Sequence, residues 1–414
     1  MKGEGRRWSW SVLETAPHRL AFFLAMGVVA ASGLWWATVQ FDRVVGFGLP
    51  YELSPSVIHS ALMTFGFMPL FFAGFLFTAG PKWLGVAGPA ARDVRTPLLL
   101  ATAGWLAWPV AGHLSAQAAA ASLALALAGL VLVTLRFWRL IVSSPAEDRI
   151  HAQCIGFALI AGCICIAGIA AGVLLDDPQL SRTFAHTGLW AFIVAVFVTV
   201  AHRMIPFFTS SALPMVTAWR PFWVLHALLS VAVFEAAAVW VDLATHASAW
   251  HAVRGGIEIL AGAVVIWLSL AWGLVQSLKV RLVAMLHIGF SWLGVGLALA
   301  GASHLAQAIT GEEWLPLAGL HAVTMGCLGS LMVAMVTRVT CGHSGRPLVA
   351  DNFIWTLFWL LQGATLLRIV AAAPLEGALK FTLAAAIAWA AVLTAWALRY
   401  GRWYGRPRAD GRPG

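Results

Sequence analysis

The amino-acid sequence predicts an all-α polytopic membrane bundle of about twelve transmembrane helices, one transmembrane domain over residues 1–414. Three observations carry that expectation. Hydrophobic residues fill 61% of the 414 positions and charged residues only 10%, too few charges for a water-facing surface of ordinary density. Apolar runs of about 20 residues recur along the chain, each long enough for a helix rising ~1.5 Å per residue to cross a hydrocarbon layer of about 30 Å. These runs do not alternate as membrane strands would, so helices are expected, with their backbone groups paired internally where no water is available.

Taken in order, the expected spans are 19–39, 57–79, 97–112, 117–141, 152–175, 184–204, 221–241, 255–276, 284–308, 316–337, 353–372 and 378–399, with Pro and Gly at the joints. The basic segment from Met1 to Trp10 precedes the first span without a small-residue cleavage motif, which reads as a retained anchor rather than a cleaved signal. The second span carries Phe65, Phe67, Phe71, Phe72 and Phe75, aromatic surface suited either to core packing or to a flat macrocycle. In the fifth, Cys163 and Cys165 form a C-x-C whose sulfurs fall on nearly opposite helix faces, a poor shared metal site and an ordinary packing pattern. The five cysteines lie mostly inside spans or on the expected cytoplasmic side, where thiols stay reduced. The tryptophans Trp35, Trp36, Trp83 and Trp314 lie near expected interfaces and fit an aromatic belt.

The net charge of +9 does not point to nucleic acid, because the basic residues sort by side. Of the 26 Lys and Arg residues, 21 fall on one side of an even-numbered span pattern, leaving Arg43, Arg182, Arg254, Arg368 and Lys380 on the other. That minority side also carries Asp42, Glu52, Asp176, Asp177, Glu312 and Glu313. By the positive-inside bias both termini are expected in the cytoplasm.

Thirteen histidines are many for so apolar a chain, because polar groups inside a membrane persist mainly where they line an internal site. They fall into two layers. His59, His113, His186, His246, His251, His304 and His321 belong near the outer face, and His18, His151, His202, His226, His287 and His343 near the inner face. In the sixth span His186 and His202 stand 16 residues apart, ~24 Å along a helix and close to the hydrocarbon thickness. His287 and His304 repeat this in the ninth. Neutral imidazole is a common ligand for haem iron and copper, so two layers allow two redox centres assembled between facing helices. The bland alternative for each ring is an interfacial side chain bonded to headgroups or backbone.

The strongest local stretch, HAVTMGCLGSLMVAMVTRVTCGHSGRP, runs from His321 to Pro347. Its Gly-rich ending offers His343 as an axial ligand and Arg338 and Arg346 as cations for carboxylates, or a plain positive-inside loop. AHRMIPFFTSSALP, from Ala201 to Pro214, puts His202 and Arg203 at the same face, and the two stretches are expected as facing walls of one inner site. Glu258 has Arg254 four residues before it and is expected in an ion pair. Glu235 has no such neighbour on its helix and is the candidate for a proton path.

At these residues the sequence resembles the NnrS family, polytopic membrane proteins that bind haem and copper and are associated with nitric-oxide metabolism and denitrification. The resemblance covers much of the chain. It is most specific in the His321–Pro347 stretch, similar to the family's pattern of His, a Gly-rich apolar helix, Thr-Arg, then Gly-His-x-Gly-Arg-Pro. Arg203, Pro206, Phe208 and Thr209 match an Arg-x-x-Pro-x-Phe-Thr signature, and PHRLAFFLA near Pro17 resembles the family's opening. The second span departs from the pattern: His59 is kept, but Ala61 and Leu62 occupy the places of a second histidine and a glutamate. Such a site either binds one cofactor fewer or recruits His186 or His304.

The resemblance implies a multi-pass protein of the bacterial inner membrane, holding b-type haem and copper and handling nitric oxide, with reduction of nitric oxide as an implied activity and an unidentified quinol or cytochrome as electron donor. The cofactor-binding candidates are His59, His202, His287, His321, His343, Arg203, Arg338 and Arg346, and the metal candidates His59, His186, His304, His321, His202, His287 and His343. The sequence has no CxxCH attachment motif and no adjacent His-His pair of the haem-copper oxidase kind. Two further readings stay open: a b-type haem electron carrier or quinol dehydrogenase subunit, and a transporter, for which a pair of broken helices is the expected sign.

Overall fold

The computed structural model describes residues 8–412, and every long element is helical. The helices are α1 Pro17–Val45, α2 Pro55–Leu84, α3 Ala91–Ala111, α4 Ala116–Val142, α5 Ile150–Leu174, α6 Pro178–Ala212, α7 Phe222–Ala244, α8 Ser248–Ala271, α9 Arg281–Thr310, α10 Ala318–His343, α11 Asn352–Val370 and α12 Ala378–Tyr404. Eleven of them are long and apolar enough to cross a membrane; α3, with Pro97, Pro109 and charged residues in its first turns, is the twelfth long helix. Several begin before the apolar run does, because their first turns are set by caps rather than by lipid. Asp177 accepts from Leu180 N–H to open α6, Ser115 from Ala118 N–H to open α4, and Asp351 from Ile354 N–H to open α11. Pro17, Pro55 and Pro178 occupy first helical positions, where the missing N–H is no loss.

Three helices are irregular, which the sequence reading did not anticipate. Helix α2 is interrupted at Gly66 and Phe67, just ahead of Pro69, whose ring cannot continue the regular bonding of the preceding turn. Helix α6 widens to a π-helix over Leu189–Val194, and α10 does so over Ala322–Gly329.

Helix α1 packs against α2, α3 and α12, and α10 against α9 and α11. The closest pair is α8 with α9, where small residues meet backbone to backbone. A Cβ on Gly262 would lie 2.7 Å from Gly294 O, and one on Gly294 2.8 Å from Gly262 O. Gly255 and Gly301 repeat the contact seven residues along each helix, the small-residue packing expected where lipid supplies no hydrophobic drive between helices.

Candidate functional site

Helices α1, α2, α6 and α10 line a narrow apolar crevice, formed among others by Phe22, Phe71, Phe72, Phe75, Phe197 and Met335. Three of the five phenylalanines expected in α2 line it. Phe65 instead lies parallel to Trp105, and Phe67 is buried elsewhere in the core. One turn from Phe22 stands His18, and one turn beyond Val339 stands His343. Their ring centroids are 4.3 Å apart, with planes inclined at 46°. Around this end three guanidinium groups lie over aromatic rings: Arg203 over Trp83 at 4.9 Å, Arg338 over Phe208 at 4.1 Å and Arg346 over Trp403 at 4.1 Å. Among the described residues neither Arg338 nor Arg346 is paired with a carboxylate. The stacking of Arg338 on Phe208, and the shared crevice, make α6 and α10 the facing walls that their sequences suggested.

The C-terminal tail closes this end. Arg19 NH1 donates to the carbonyls of Tyr404 and Arg406 at 2.8 Å, Arg408 NH1 to His343 O at 3.2 Å, and Ala409 N–H to Ser344 O at 2.8 Å. Asp410 accepts from Arg408 at 2.6 Å, and that bond holds its carboxyl down at about 2.

His202 joins a different group from His343. His151 Nε2 and His202 Nδ1 are 3.0 Å apart, and His202 Nε2 donates to Pro221 O at 3.1 Å. The carbonyl must accept, so His202 Nδ1 is the lone pair and His151 Nε2–H the donor when both rings are neutral. His151 Nδ1 is then left buried without a partner. His287 Nε2 meets Thr209 Oγ1 at 2.8 Å; that hydroxyl already donates to Ile205 O, so the imidazole N–H points at it. The expected inner site is therefore divided, with His202 and His287 each engaged apart from the His18–His343 pair.

At the opposite end His59, His186 and Arg368 each come within electrostatic reach of His321. Two of the imidazoles stand next to an irregularity, His186 three residues before the π segment of α6 and His321 immediately before that of α10, while His59 lies about two turns before the interruption of α2 at Gly66. Widened turns of this kind frequently occur at functional sites. His321 Nδ1 donates to Leu317 O at 2.9 Å, fixing the neutral tautomer that leaves Nε2 with its lone pair. His59 stacks on Trp36, centroids 3.7 Å apart, and its Nδ1 is buried without a partner. His113 stands aside, accepting from Trp35 Nε1 at 3.1 Å and donating from Nδ1 to Pro50 O.

Glu235 is not the lone carboxylate its own helix suggested. Arg254 reaches across from α8, its NH2 donating to Glu235 Oε2 at 2.8 Å, its NH1 to Asp242, and its Nε to Glu258 Oε1 at 3.0 Å. The expected Arg254–Glu258 pair is present, but as one arm of a larger group. His304 Nδ1 lies 2.6 Å from Glu258 Oε2, so this ring is committed to the ionic group and is not a member of the His59–His186–His321 set.

Two imidazole groups at the basic end, one at the other, and a separate buried ionic group define a polytopic helical membrane protein with candidate ligand sites at both ends. Among the described residues no three of His, Cys, Asp and Glu form a preformed metal cage. The family described as NnrS protein matches residues 12–408, and the chain belongs to that family. No curated protein matches the chain. Sequence reasoning left His18 and Arg368 out of the candidate set. The PHRLAFFLA stretch carried a signal for His18; Arg368, a single charge at the end of an apolar span, carried little.

Proposed function

We propose that this NnrS-family protein is a haem- and copper-binding redox protein of the bacterial inner membrane that handles nitric oxide, with haem at the phenylalanine-lined crevice and copper at the His59–His186–His321 group. The observation that carries this reading is the inner crevice itself: apolar aromatic walls, an imidazole pair at one end, and arginines without carboxylate partners beside it. These residues fit a flat macrocycle bearing carboxylates. Rings 4.3 Å apart are too close to ligate its two faces, which needs on the order of 6 Å with metal–nitrogen bonds of ~2 Å. Either His18 or His343 would hold the haem iron, and Arg338 and Arg346 would neutralise the haem carboxylates.

At the other end the donor set also fits. His321 is held in the ligand tautomer, His59 Nδ1 has no partner among the described residues, and His186 lies within electrostatic reach of His321, the three not being preassembled. Bound haem and copper supply one-electron chemistry and an open coordination position for a diatomic ligand. Within the chain, the phenylalanine walls exclude water, the arginines orient the charged edge, and the Leu317 carbonyl keeps the proton of His321 on Nδ1.

The test is the visible spectrum and metal content of protein purified from haem- and copper-replete cells. His18→Ala and His343→Ala are expected to lower haem without removing copper, and His59→Ala and His321→Ala to do the reverse. A colourless, metal-free protein, or full loading in all four variants, overturns the proposal. The second reading, a b-type electron carrier, is supported by the separation of the imidazole groups at opposite ends; nitric oxide leaving the spectrum of the reduced protein unchanged favours it. The transporter reading has less support, since α2 alone among the twelve helices is interrupted by non-helical residues.

A further inference from the structure

The ionic group between α7, α8 and α9 holds more acid than base. Arg254 is bonded to Glu235, Asp242 and Glu258, and the side chains of Glu235, Glu258 and Arg254 are 2%, 0% and 9% exposed. Glu235 Oε1 is buried and receives no donor from the polypeptide as an ionised group. The Glu235 carboxyl lies within hydrogen-bonding reach of that of Glu258, both being gathered on Arg254. Ionised carboxylates only accept, so two of them make that contact only when one carries a hydrogen. Both oxygens of Glu258 already face donors, Arg254 Nε and His304 Nδ1, which leaves Glu235 Oε1 as the oxygen that bears it.

We infer that Glu235 and Glu258 form a proton-loading site, sharing one exchangeable proton beside Arg254 and taking it from the end of the bundle opposite the basic loops. The path is short. His304 is one-fifth exposed, and its Nδ1 faces Glu258; the Asp242 side chain is one-third exposed at the end of α7. A proton arriving on His304 Nε2 releases the one on Nδ1 to Glu258, Glu258 passes a proton to Glu235 Oε1, and rotation of the His304 ring then returns an N–H to face Glu258; loss follows the reverse order. His251 lies parallel to His304 with centroids 6.1 Å apart, is 6% exposed, and has no partner on either ring nitrogen. The other charged or titratable groups facing the ionic group are His186 and Arg182 on α6 and Glu313 after α9. His186 is within reach of both Arg254 and His321, so the loaded proton sits next to the outer imidazole group, although its presence does not depend on any metal there.

The experiment is infrared difference spectroscopy on the full-length protein in oriented proteoliposomes, with H2O and D2O as probes. At neutral pH a protonated-carboxyl C=O band is expected that shifts in D2O, loses at least half its intensity in Glu235→Gln, and responds to a pH jump on the Asp242 side. His304→Gln is expected to slow that response severalfold while leaving the band. Absence of the band at neutral pH, an unchanged band in Glu235→Gln, or a response only to pH on the basic side overturns the inference. Should Glu235→Gln fail to elute as a monodisperse protein, the side-specific response of the unsubstituted protein decides alone. Haem loss in His343→Ala leaves the band unaffected, which separates failure of this inference from failure of the proposed function.

Discussion

Arg254 is the residue on which three acidic side chains converge, and its replacement by Met removes the only guanidinium among the described residues that any of them is paired with. Breaking a buried pair by deleting one partner leaves uncompensated charge, so Arg254→Met is expected to lower stability by about 3–5 kcal/mol, read as thermal unfolding in detergent. Glu235→Gln keeps an acceptor for Arg254 and is expected to be much milder. At the other end Asp410 gives a pH dependence of defined sign. Its folded carboxyl, held down at about 2 by Arg408, lies below the unfolded value of ~3.9. The contribution of this pair to tail docking is therefore fully present above about pH 4 and is lost as pH falls through about 2. Fluorescence of Trp403, stacked under Arg346, across that range should report the release, and Asp410→Asn should remove the dependence. The Arg254–Glu258 contact was legible because residues four apart share a helix face. Its extension to Glu235 was not, because that partner lies 19 residues away on another helix.

Helix pairs were less legible than helices. Each span declared itself by length and apolarity, and the structure differs most from the expected starts where a more polar first turn extends the helix outward, as at Ser248 against 255, Pro178 against 184 and Ala91 against 97. The glycines that set the α8–α9 approach carry no mark in a single sequence that tells contact from tolerance. That approach also holds Arg254 and Glu258 against His304. A side chain at Gly294 has no room, its Cβ falling 2.8 Å from both Gly262 O and Ile266. Gly294→Val is expected to destabilise by about 1–3 kcal/mol, as overpacking does, and to loosen the His304–Glu258 contact, seen as faster deuterium exchange in the outer turns of α9. Gly256, with open space around its Cβ position, should accept Ala with little change. The facing of α6 and α10 was legible because both stretches end in Pro- and Arg-bearing turns at one face; the division of their histidines was not, because ring direction depends on third helices such as α1 and α5.

Across the whole molecule the two ends differ in charge and in chemistry, and the charge difference fixes an orientation that the helices themselves do not. With 21 of 26 basic residues sorted to one side by the span pattern of the sequence, a fluorescent protein fused at the C-terminus is expected to fold and fluoresce in cells, while alkaline phosphatase in its place stays inactive. The reverse pattern would invert every inside and outside assignment made for this chain. Between the ends, the two π segments have a further effect. A π turn takes one more residue than a regular one before it closes, and each residue swings a helix by about 100°. The stretch of α10 beyond Gly329 is thereby indexed separately from His321, so the direction faced by His343 is not dictated by the direction faced by His321. Removing a single residue from Ala322–Gly329 would restore ordinary winding and leave both flanks facing as they do, because the widened turn absorbs one residue; one residue added in a regular stretch of α10 would instead turn one end against the other by about a quarter of a revolution.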